Sequence, residues 1–175
     1  MTFRRIFLAG TIQGGNRGVD VEDQGYRAEI AQLVSEVFPD CECFDPSAPV
    51  QEAMTDPELA GLVLRIAQDP PAAIDTRELP GPIAGLRSVF HAMASEAGRS
   101  DLCIAYLPDR IPSMGTAIEM YAAHLAGVPV VAVTSMVENL AVISTATWVL
   151  SDLGELRRWL LDQGATAGIP SDASV

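Results

Sequence analysis

Glu119, a carboxylate just inside a predicted helix, is the residue of this chain best suited to catalysis. It follows the run Ser113-Met114-Gly115, which ends a loop after the apolar segment 101–107, a predicted buried strand. Unpaired backbone N–H groups at a helix start can hold a phosphate or carboxylate, and Gly115 lets the backbone approach such a ligand. We therefore predict that Glu119 is catalytic and that Ser113, Met114 and Gly115 bind substrate. The alternative is that Ser113 is only an N-cap and Glu119 a solvated helix residue.

A glycine-rich loop follows the first predicted strand. Residues 4–9 form a mostly apolar segment, and residues 10–18 contain four glycines. Such a loop can wrap around a ligand, although it has neither the dinucleotide-binding fingerprint nor a Walker A pattern. A flexible connection between strand and helix is the structural alternative. The residues of this loop that are predicted to bind substrate are Gly10, Thr11, Ile12, Gln13, Gly14 and Gly15.

Apolar segments alternate with helical patterns along the chain. Strands are predicted at 4–9, 41–44, 101–107, 129–134 and 146–150. Helices are predicted at 21–38, 57–68, 85–97 and 153–161, together with the helix that contains Glu119 and continues through 120–126. Strands separated by helices imply a parallel sheet with right-handed crossovers. We therefore predict an α/β protein, a single-domain flavodoxin-like/Rossmann-like three-layer sandwich with a five-stranded parallel sheet. The domain is predicted to span 1–163, with a flexible tail at 164–175.

The carboxyl ends of parallel strands form the crevice in which such sheets bind their ligands. The glycine-rich loop and the loop before Glu119 both start at this edge. Asp45 directly follows the second predicted strand, so it is also predicted to face the substrate. The segment 69–82 contains four prolines and is predicted to be a loop that acts as a lid beside the site.

Composition excludes some classes of function. The 175 residues are 49% hydrophobic, enough for one substantial core, and carry a formal net charge of −12. This charge argues against binding nucleic acid, which requires a basic face. No apolar segment has the length of a signal peptide core or a membrane span, so a cytoplasmic location and no membrane partner are expected. The three cysteines lack a metal-ligand spacing, so no metal site is predicted.

Together these motifs resemble the nucleoside 2-deoxyribosyltransferase superfamily, and most closely its branch of nucleoside 5′-monophosphate N-glycosidases. The resemblance rests on the stretches 6–15 and 100–105 and on the S-x-G-x-x-x-E run 113–119, which is followed by 127–131. It implies an enzyme that hydrolyses the N-glycosidic bond of a (deoxy)nucleoside 5′-monophosphate without a cofactor. It also implies a homodimer or higher homo-oligomer with shared active sites.

The resemblance assigns roles to single residues. Glu119 matches the family glutamate that attacks the anomeric carbon of the sugar or stabilises the oxocarbenium-like state formed there. Ser113 matches a phosphate-binding serine of the monophosphate-specific branch. Thr11 and Gln13 match a serine and an arginine that contact phosphate and base. Because Gln13 is neutral, the charge pairing of that arginine is missing here.

Other positions depart from the family pattern. Phe7 replaces a tyrosine whose hydroxyl helps to position the family glutamate. Asn139 resembles an asparagine that reaches into the site of the neighbouring subunit. The family aspartate that contacts the substrate and assists protonation of the leaving base is expected near Met93, where this chain has none. His91 and Glu96 are the candidates to replace it, and His91 is therefore included among the predicted substrate contacts.

Several alternatives remain open from the sequence. A nucleoside 2-deoxyribosyltransferase would pass the sugar to a second base instead of water. A non-catalytic nucleotide-binding or sensor protein would explain the missing aspartate, but it has no need for a carboxylate such as Glu119 at the anomeric carbon. Hydrolysis of NAD or release of a cytokinin-type base is a more distant possibility, because the double-glycine signature of the phosphoribohydrolases is absent. The apolar stretches 120–123 and 135–145 are candidates for a subunit interface or for ordinary core.

Overall fold

The computed structural model describes residues 2–13 and 22–167. Its strands are β1 (Arg5–Gly10), β2 (Glu42–Phe44), β3 (Leu102–Leu107), β4 (Val130–Thr134) and β5 (Trp148–Leu150). Its helices are α1 (Gly25–Val37), α2 (Ser47–Met54), α3 (Pro57–Gln68), α4 (Gly81–Ala97), α5 (Met114–Leu125), α6 (Leu140–Thr145) and α7 (Leu153–Ala167). A short 3-10 helix at Pro108–Arg110 follows β3.

The five strands form one parallel sheet in the order β2-β1-β3-β4-β5. This arrangement confirms the predicted flavodoxin-like α/β fold. β2 lies on one side of β1, and β3 and β4 lie on the other. The connection after β1 and the connection after β3 therefore run in opposite directions along the sheet. Gly10 pairs with Tyr106 at the carboxyl ends of these two strands. Ligands of open α/β sheets bind at such a switch point.

Helices cover both faces of the sheet, as the alternation along β1 illustrates. Ile6 and Leu8 pack on one face, in a core cluster that also contains residues of α1 and α7. Phe7 and Ala9 pack on the other face with residues of α4, α5 and α6. Successive side chains of a strand point to opposite faces, so a buried parallel strand is apolar on both. The molecule therefore has three layers.

Two helices begin in proline-containing segments where the sequence predicts no helix. The predicted helix 85–97 starts earlier, at Gly81, and the unpredicted α2 starts at Ser47. Pro49 and Pro82 lie in the first turns of these helices, where the missing N–H breaks no intrahelical hydrogen bond. The predicted loop and lid at 69–82 is therefore shorter and connects α3 to α4 over residues 69–80.

The C-terminal helix is longer than predicted. It continues to Ala167 instead of ending at 161, so residues 164–167 of the predicted tail are helical. Gly164 was interpreted as a break, but a Cβ there would lie 2.7 Å from Cγ1 of Val37. The glycine thus permits close packing of α7 on α1. The remaining tail, 168–175, lies outside the described residues. The short helix α6 had also not been predicted.

None of the helices among the described residues combines the length and apolar character needed to cross a membrane. Within the same residues, no group of three His, Cys, Asp or Glu side chains is arranged to hold a metal ion. The three cysteines are unpaired thiols. Burial raises the pKa of Cys41 and Cys43 to about 11 and that of Cys103 further, so these thiols are not poised as nucleophiles.

Candidate active site

A cavity of about 520 Å³ opens at the carboxyl end of the sheet, beside the switch point between β1 and β3. The loop after β1 contributes Gly10, Ile12 and Gln13 to its lining, and residues 113–116 with Ile118 and Glu119 contribute a second side. The two motifs that are 100 residues apart in the sequence thus share one cavity. Helices α2, α3 and α4 form the remaining wall.

Glu119 is a buried carboxylate without a partner. Only 5% of the residue is exposed, and no hydrogen bond to its carboxylate is found within 2–13 and 22–167. Burial raises the pKa of Glu119 to about 8, Arg27 lowers it and Asp45 raises it further. Buried carboxylates are usually paired, and an unpaired one in a cavity with a raised pKa is typical of a functional group. The alternative of a solvated helix residue is wrong.

Arg27 explains why Glu119 retains part of its acidity. This α1 side chain is 4% exposed and donates to the carbonyl oxygens of Leu8 and Gly10 at 3.1 and 2.9 Å. It also donates to Asp45 at 2.8 Å. The guanidinium therefore fixes the end of β1 and brings a positive charge near the cavity. Arg27 was missed from the sequence, although its spacing from Ile30 on the buried stripe of α1 is a usable signal.

The N-terminus of α5 is capped by a side chain and borders the cavity. Ser113 is its N-cap, and the Ser113 hydroxyl oxygen accepts from the backbone N–H of Thr116 at 3.3 Å and from the Thr116 hydroxyl at 2.9 Å. The N–H groups of Met114 and Gly115 lie in the first turn, where no helical carbonyl can accept from them. Gly115 and Glu119 are four residues apart, so they lie on the same face of α5.

The wall opposite the loops is mostly apolar. Its side chains come from three helices that pack on one another: Val50 and Met54 of α2, Val63 of α3, and Ile83, Leu86, Phe90 and Met93 of α4. Arg87 of α4 also lines the cavity, although the sequence motifs do not predict it. An apolar wall with few polar groups is the usual lining of a small-molecule site.

Some predicted substrate contacts do not line this cavity. Phe7 is buried in the core and stacks on Phe44 with ring centroids 5.7 Å apart. Thr11 lines a separate cavity of about 240 Å³, and Asp45 pairs with Arg27. Asn139 is the N-cap of α6, where its side chain accepts from two backbone N–H groups. Phe7 belongs to the core and Asn139 caps a helix, whereas Asp45 is partly exposed and pairs with Arg27, and Thr11 faces the separate cavity.

The predicted contacts Gly14 and Gly15 lie outside the described residues. Gly10 lines the cavity, and its lack of a side chain also has a packing cause. A Cβ at this position would overlap the Tyr26 hydroxyl, which donates to the carbonyl oxygen of Thr11 at 3.2 Å. Burial raises the pKa of Tyr26 to about 12, so the hydroxyl stays protonated and keeps this bond.

Neither of the two candidates for the missing aspartate lines the cavity. Met93 occupies its expected place and lines the cavity, whereas His91 is exposed and does not. Glu96 binds Arg5 and Arg99, and these hydrogen bonds lower its pKa, so it is ionised and unable to donate a proton. Among the described lining residues Glu119 is the only acidic side chain. Proton transfer to a leaving group would therefore involve solvent.

The sequence matches no family model and no curated protein. Among solved structures, it is similar to a 2-deoxyribosyltransferase from the psychrotolerant bacterium Bacillus psychrosaccharolyticus, with a TM-score of 0.51 and 18% identity. The superposition covers 87% of this chain and 90% of the other. The two proteins share a fold. A conserved protein from Enterococcus faecalis V583 aligns with 17% identity over 93% of this chain and 87% of the other, at a TM-score of 0.43.

Proposed function

We propose that this protein is a glycosyl-transfer enzyme that cleaves the N-glycosidic bond of a nucleoside 5′-monophosphate, with Glu119 as the nucleophile. The observation that carries the proposal is the nearly buried Glu119, whose carboxylate has no hydrogen-bond partner among the described residues and lines a cavity one helical turn from the first turn of α5. Burying an unpaired carboxylate destabilises a fold, so its retention favours a role in chemistry over a purely structural one.

The proposed substrate fits the cavity in one orientation. Its 5′-phosphate lies at the first turn of α5, where the Ser113 hydroxyl and the N–H groups of Met114 and Gly115 donate to it. One helical turn, about 5.4 Å, separates this point from Glu119. That distance is comparable with the length of a pentose 5-phosphate from phosphorus to the anomeric carbon. The sugar therefore places its reacting carbon at the carboxylate.

The base lies against the apolar wall. The side chains of Ile83, Leu86 and Phe90 supply apolar and aromatic surface there, which suits a planar heterocycle. Few polar side chains are available on this wall to recognise one base over another. We therefore expect broad base specificity, with discrimination based on size.

The reaction proceeds in two displacements. A Glu119 oxygen attacks the anomeric carbon, the bond to the base nitrogen breaks, and the base leaves with the electron pair and takes a proton from solvent. Water then attacks the glycosyl ester, releasing pentose 5-phosphate and restoring the Glu119 carboxylate. If a second base attacks instead, the enzyme is a transferase. The similarity in fold to a 2-deoxyribosyltransferase supports keeping transfer as the second candidate.

Base release tests the proposal. Purified protein and its Glu119→Gln variant are incubated with ribo- and deoxyribonucleoside 5′-monophosphates and nucleosides, with and without a second free base, and products are separated by chromatography. We expect wild type alone to release base. Formation of a new nucleotide only when acceptor base is present would make the enzyme a transferase. No release from any substrate, together with a thermal shift by one of them, would replace the enzyme with a sensor.

The phosphate end is tested by Ser113→Ala. We expect the KM for monophosphates to rise far more than that for nucleosides, because the phosphate is the only part of the proposed substrate that the removed hydroxyl contacts. The matched control is Asp152→Ala, which removes the carboxylate that accepts from the Glu155 backbone N–H at 2.9 Å at the start of α7, on the other face of the sheet. An equal rise for both substrate classes in Ser113→Ala would show that the serine acts only through helix stability.

We also propose that two copies of the chain associate through α5 and α6. Met114, Ile118, Tyr121 and Leu125 recur at spacings of four, three and four along α5 and are all exposed, with Met114 at 86% and Leu125 at 68%. Leu140 and Ile143 of α6 extend this apolar surface. Monomeric proteins rarely expose such a stripe. Because Met114 and Ile118 also line the cavity, a partner bound there would lie at the cavity mouth.

Leu125→Glu tests this association because the residue is exposed and does not line the cavity. We expect the variant to elute as a smaller species in size-exclusion chromatography with light scattering. Leu161→Glu, on the half-exposed surface of α7, is the matched control and should not change the mass. A monomeric wild type would overturn the proposal.

A further inference from the structure

Arg87 has no carboxylate partner among the residues that the structure describes, in a chain that is rich in carboxylates. The sequence has 11 basic residues, all arginine, against 23 Asp and Glu. Most arginines of the described residues form a salt bridge, but Arg4, Arg65 and Arg87 do not. Of these three, only Arg87 lines the cavity that holds Glu119. An excess of available acidic partners makes this lack of pairing informative.

The position of Arg87 on α4 places it beside the start of α5. Phe90 of α4 contacts Gly115, since a Cβ on that glycine would lie 3.5 Å from Cε2 of the phenylalanine. Arg87 precedes Phe90 by three residues, so it lies on the same face of α4, one turn away. Its long side chain is exposed and borders the cavity. The guanidinium can therefore reach a ligand held at the first turn of α5.

Most of the donors of Arg87 are available to a ligand. One terminal nitrogen donates to the carbonyl oxygen of Thr76 at 2.7 Å. A guanidinium has five N–H donors, and no other hydrogen bond from Arg87 is found in the described part of the chain. The bond to Thr76 also restricts the side chain. A restricted, planar cation with free donors is suited to two parallel hydrogen bonds with a phosphate.

The charges around the cavity make such a cation necessary for an anionic ligand. Among the described lining residues Arg87 is the only cation and Glu119 the only anion. The buried cation Arg27 is already paired with Asp45. The formal net charge of −12 adds repulsion toward any anion that approaches. Gln13, where the resemblance indicates an arginine, adds no charge.

We propose that Arg87 binds the 5′-phosphate of the substrate and sets the preference of this site for monophosphates over nucleosides. The inference rests on the proposed function for the identity of the substrate. Arg87 supplies from α4 the positive charge that the loop after β1 lacks at Gln13. It is a specificity-determining residue that contacts the phosphate and not the reacting carbon.

Arg87→Gln tests this role because the amide keeps a hydrogen-bond donor but carries no charge. We expect kcat/KM for a monophosphate to fall about 10- to 100-fold, as when a charge-assisted hydrogen bond is lost, with little change for the nucleoside. Arg87→Lys should retain part of the preference, since it keeps the charge without the planar fork. Arg77→Gln is the matched control, because it removes an exposed charge from the 69–80 segment and does not line the cavity.

Three results would overturn the inference while leaving the proposed function intact. The first is an equal loss for monophosphate and nucleoside in Arg87→Gln. The second is an unchanged monophosphate preference in this variant with an unchanged melting temperature. The third is loss of the preference only in Arg17→Gln, the arginine of the glycine-rich sequence 10–18.

A binding measurement separates failure of the inference from failure of the proposed function. Isothermal titration compares ribose 5-phosphate with ribose on the wild type and on Arg87→Gln, and requires no catalysis. Tighter binding of ribose 5-phosphate that depends on Arg87, in a protein that releases no base, would support the phosphate site and reject the enzyme. Phosphate-dependent binding that is unaltered in Arg87→Gln would reject the role of Arg87 even if base is released.

Discussion

The two ends of the sheet treat their charged side chains in opposite ways. At the amino end, Arg5 lies 2.5 Å from Glu96 and 3.3 Å from Glu42, and Glu96 also binds Arg99 at 2.7 Å. Asp101 accepts hydrogen bonds from the backbone N–H groups of residues 4 and 5. Each of these carboxylates has its partner within the chain. Charges at this end serve to hold the first and third strands together.

At the carboxyl end, neither charged group that faces the cavity forms an ion pair within the described residues. Glu119 has no hydrogen-bond partner among the described residues, and Arg87 has no carboxylate beside it. Water alone does not solvate both groups at a low cost in free energy, because Glu119 is nearly buried. The contrast indicates that the missing partners at this end belong to a ligand. The following predictions test that contrast.

The largest expected effect separates the two glutamates by function. Glu119→Gln should lower base release at least about a thousandfold, as expected for loss of a nucleophile, with the fold retained. Glu96→Gln should leave kcat/KM within about twofold, because this side chain lies at the opposite end of the sheet. Chromatography of the products and circular dichroism measure both variants. Equal losses in the two variants would remove the distinction between the ends.

The pH dependence of stability should also distinguish them. The pKa of Glu119 is raised from 4.5 to about 8, so the native state binds an extra proton between these values and stability falls as pH rises through this range. Glu119→Gln should match wild type near pH 5 and exceed it by a few kcal/mol near pH 9. Thermal melts across pH measure the difference between the two proteins. A difference that does not grow with pH would mean that the carboxylate is solvated or paired.

The same pKa predicts a limb in the activity profile. Only the ionised carboxylate attacks the sugar, so kcat/KM should rise with pH and level off above about 8. Measurements from pH 6.5 to 9.5 avoid most of the second ionisation of the substrate phosphate, near 6. A flat profile over this range would indicate that Glu119 is already ionised at neutral pH.

The ion pairs of Glu96, at the amino end of the sheet, should give stability the opposite dependence on pH. The pKa of Glu96 is lowered by its hydrogen bonds to Arg5 and then Arg99, so its contribution is present above its unfolded pKa and lost as pH falls through the lowered value. Because the site is partly exposed and screened, Glu96→Gln should destabilise the protein by about 1 kcal/mol, or roughly 2–4 °C in Tm. A stabilised Glu96→Gln would contradict the structural role.

The smallest effect concerns two glycines, one at each end. A Cβ on Gly115 would meet only Phe90, at 3.5 Å, whereas one on Gly98 would lie 3.2 Å from the Ala126 Cβ and 3.3 Å from the Ala122 carbonyl oxygen. Gly115→Ala should therefore leave Tm unchanged or slightly raised but increase the KM for monophosphates. Gly98→Ala should lower Tm, with a loss of up to about 1 kcal/mol in the free energy of unfolding, and leave KM unchanged. A drop in Tm for Gly115→Ala alone would indicate that the space beside α5 is not open.

Much of the fold could be predicted because it depends on local patterns. Buried parallel strands are short apolar runs, and their separation by helices restricts the topology to a few arrangements. The predictions differ from the structure at Pro82, which the sequence places in a loop, and at Gly164, where it predicts the start of a tail. Whether a proline falls in a first turn, or a glycine in a helix contact, depends on where the neighbouring element begins or packs. That information is not local.

The sequence by itself determined the sheet and the position of Glu119 behind an N-capping serine, since adjacent residues specify both. Only the tertiary structure decided the rest of the site. Residues far apart in the chain form the apolar wall from α2 to α4 and the pair of Arg27 with Asp45. The tertiary structure also leaves Arg87 without a carboxylate partner among the described residues. In the structure, the cavity lining does not include His91, Glu96 or Asn139. A side chain's burial and charge partners are set by the packing of distant elements, and these decide which carboxylate stays unpaired.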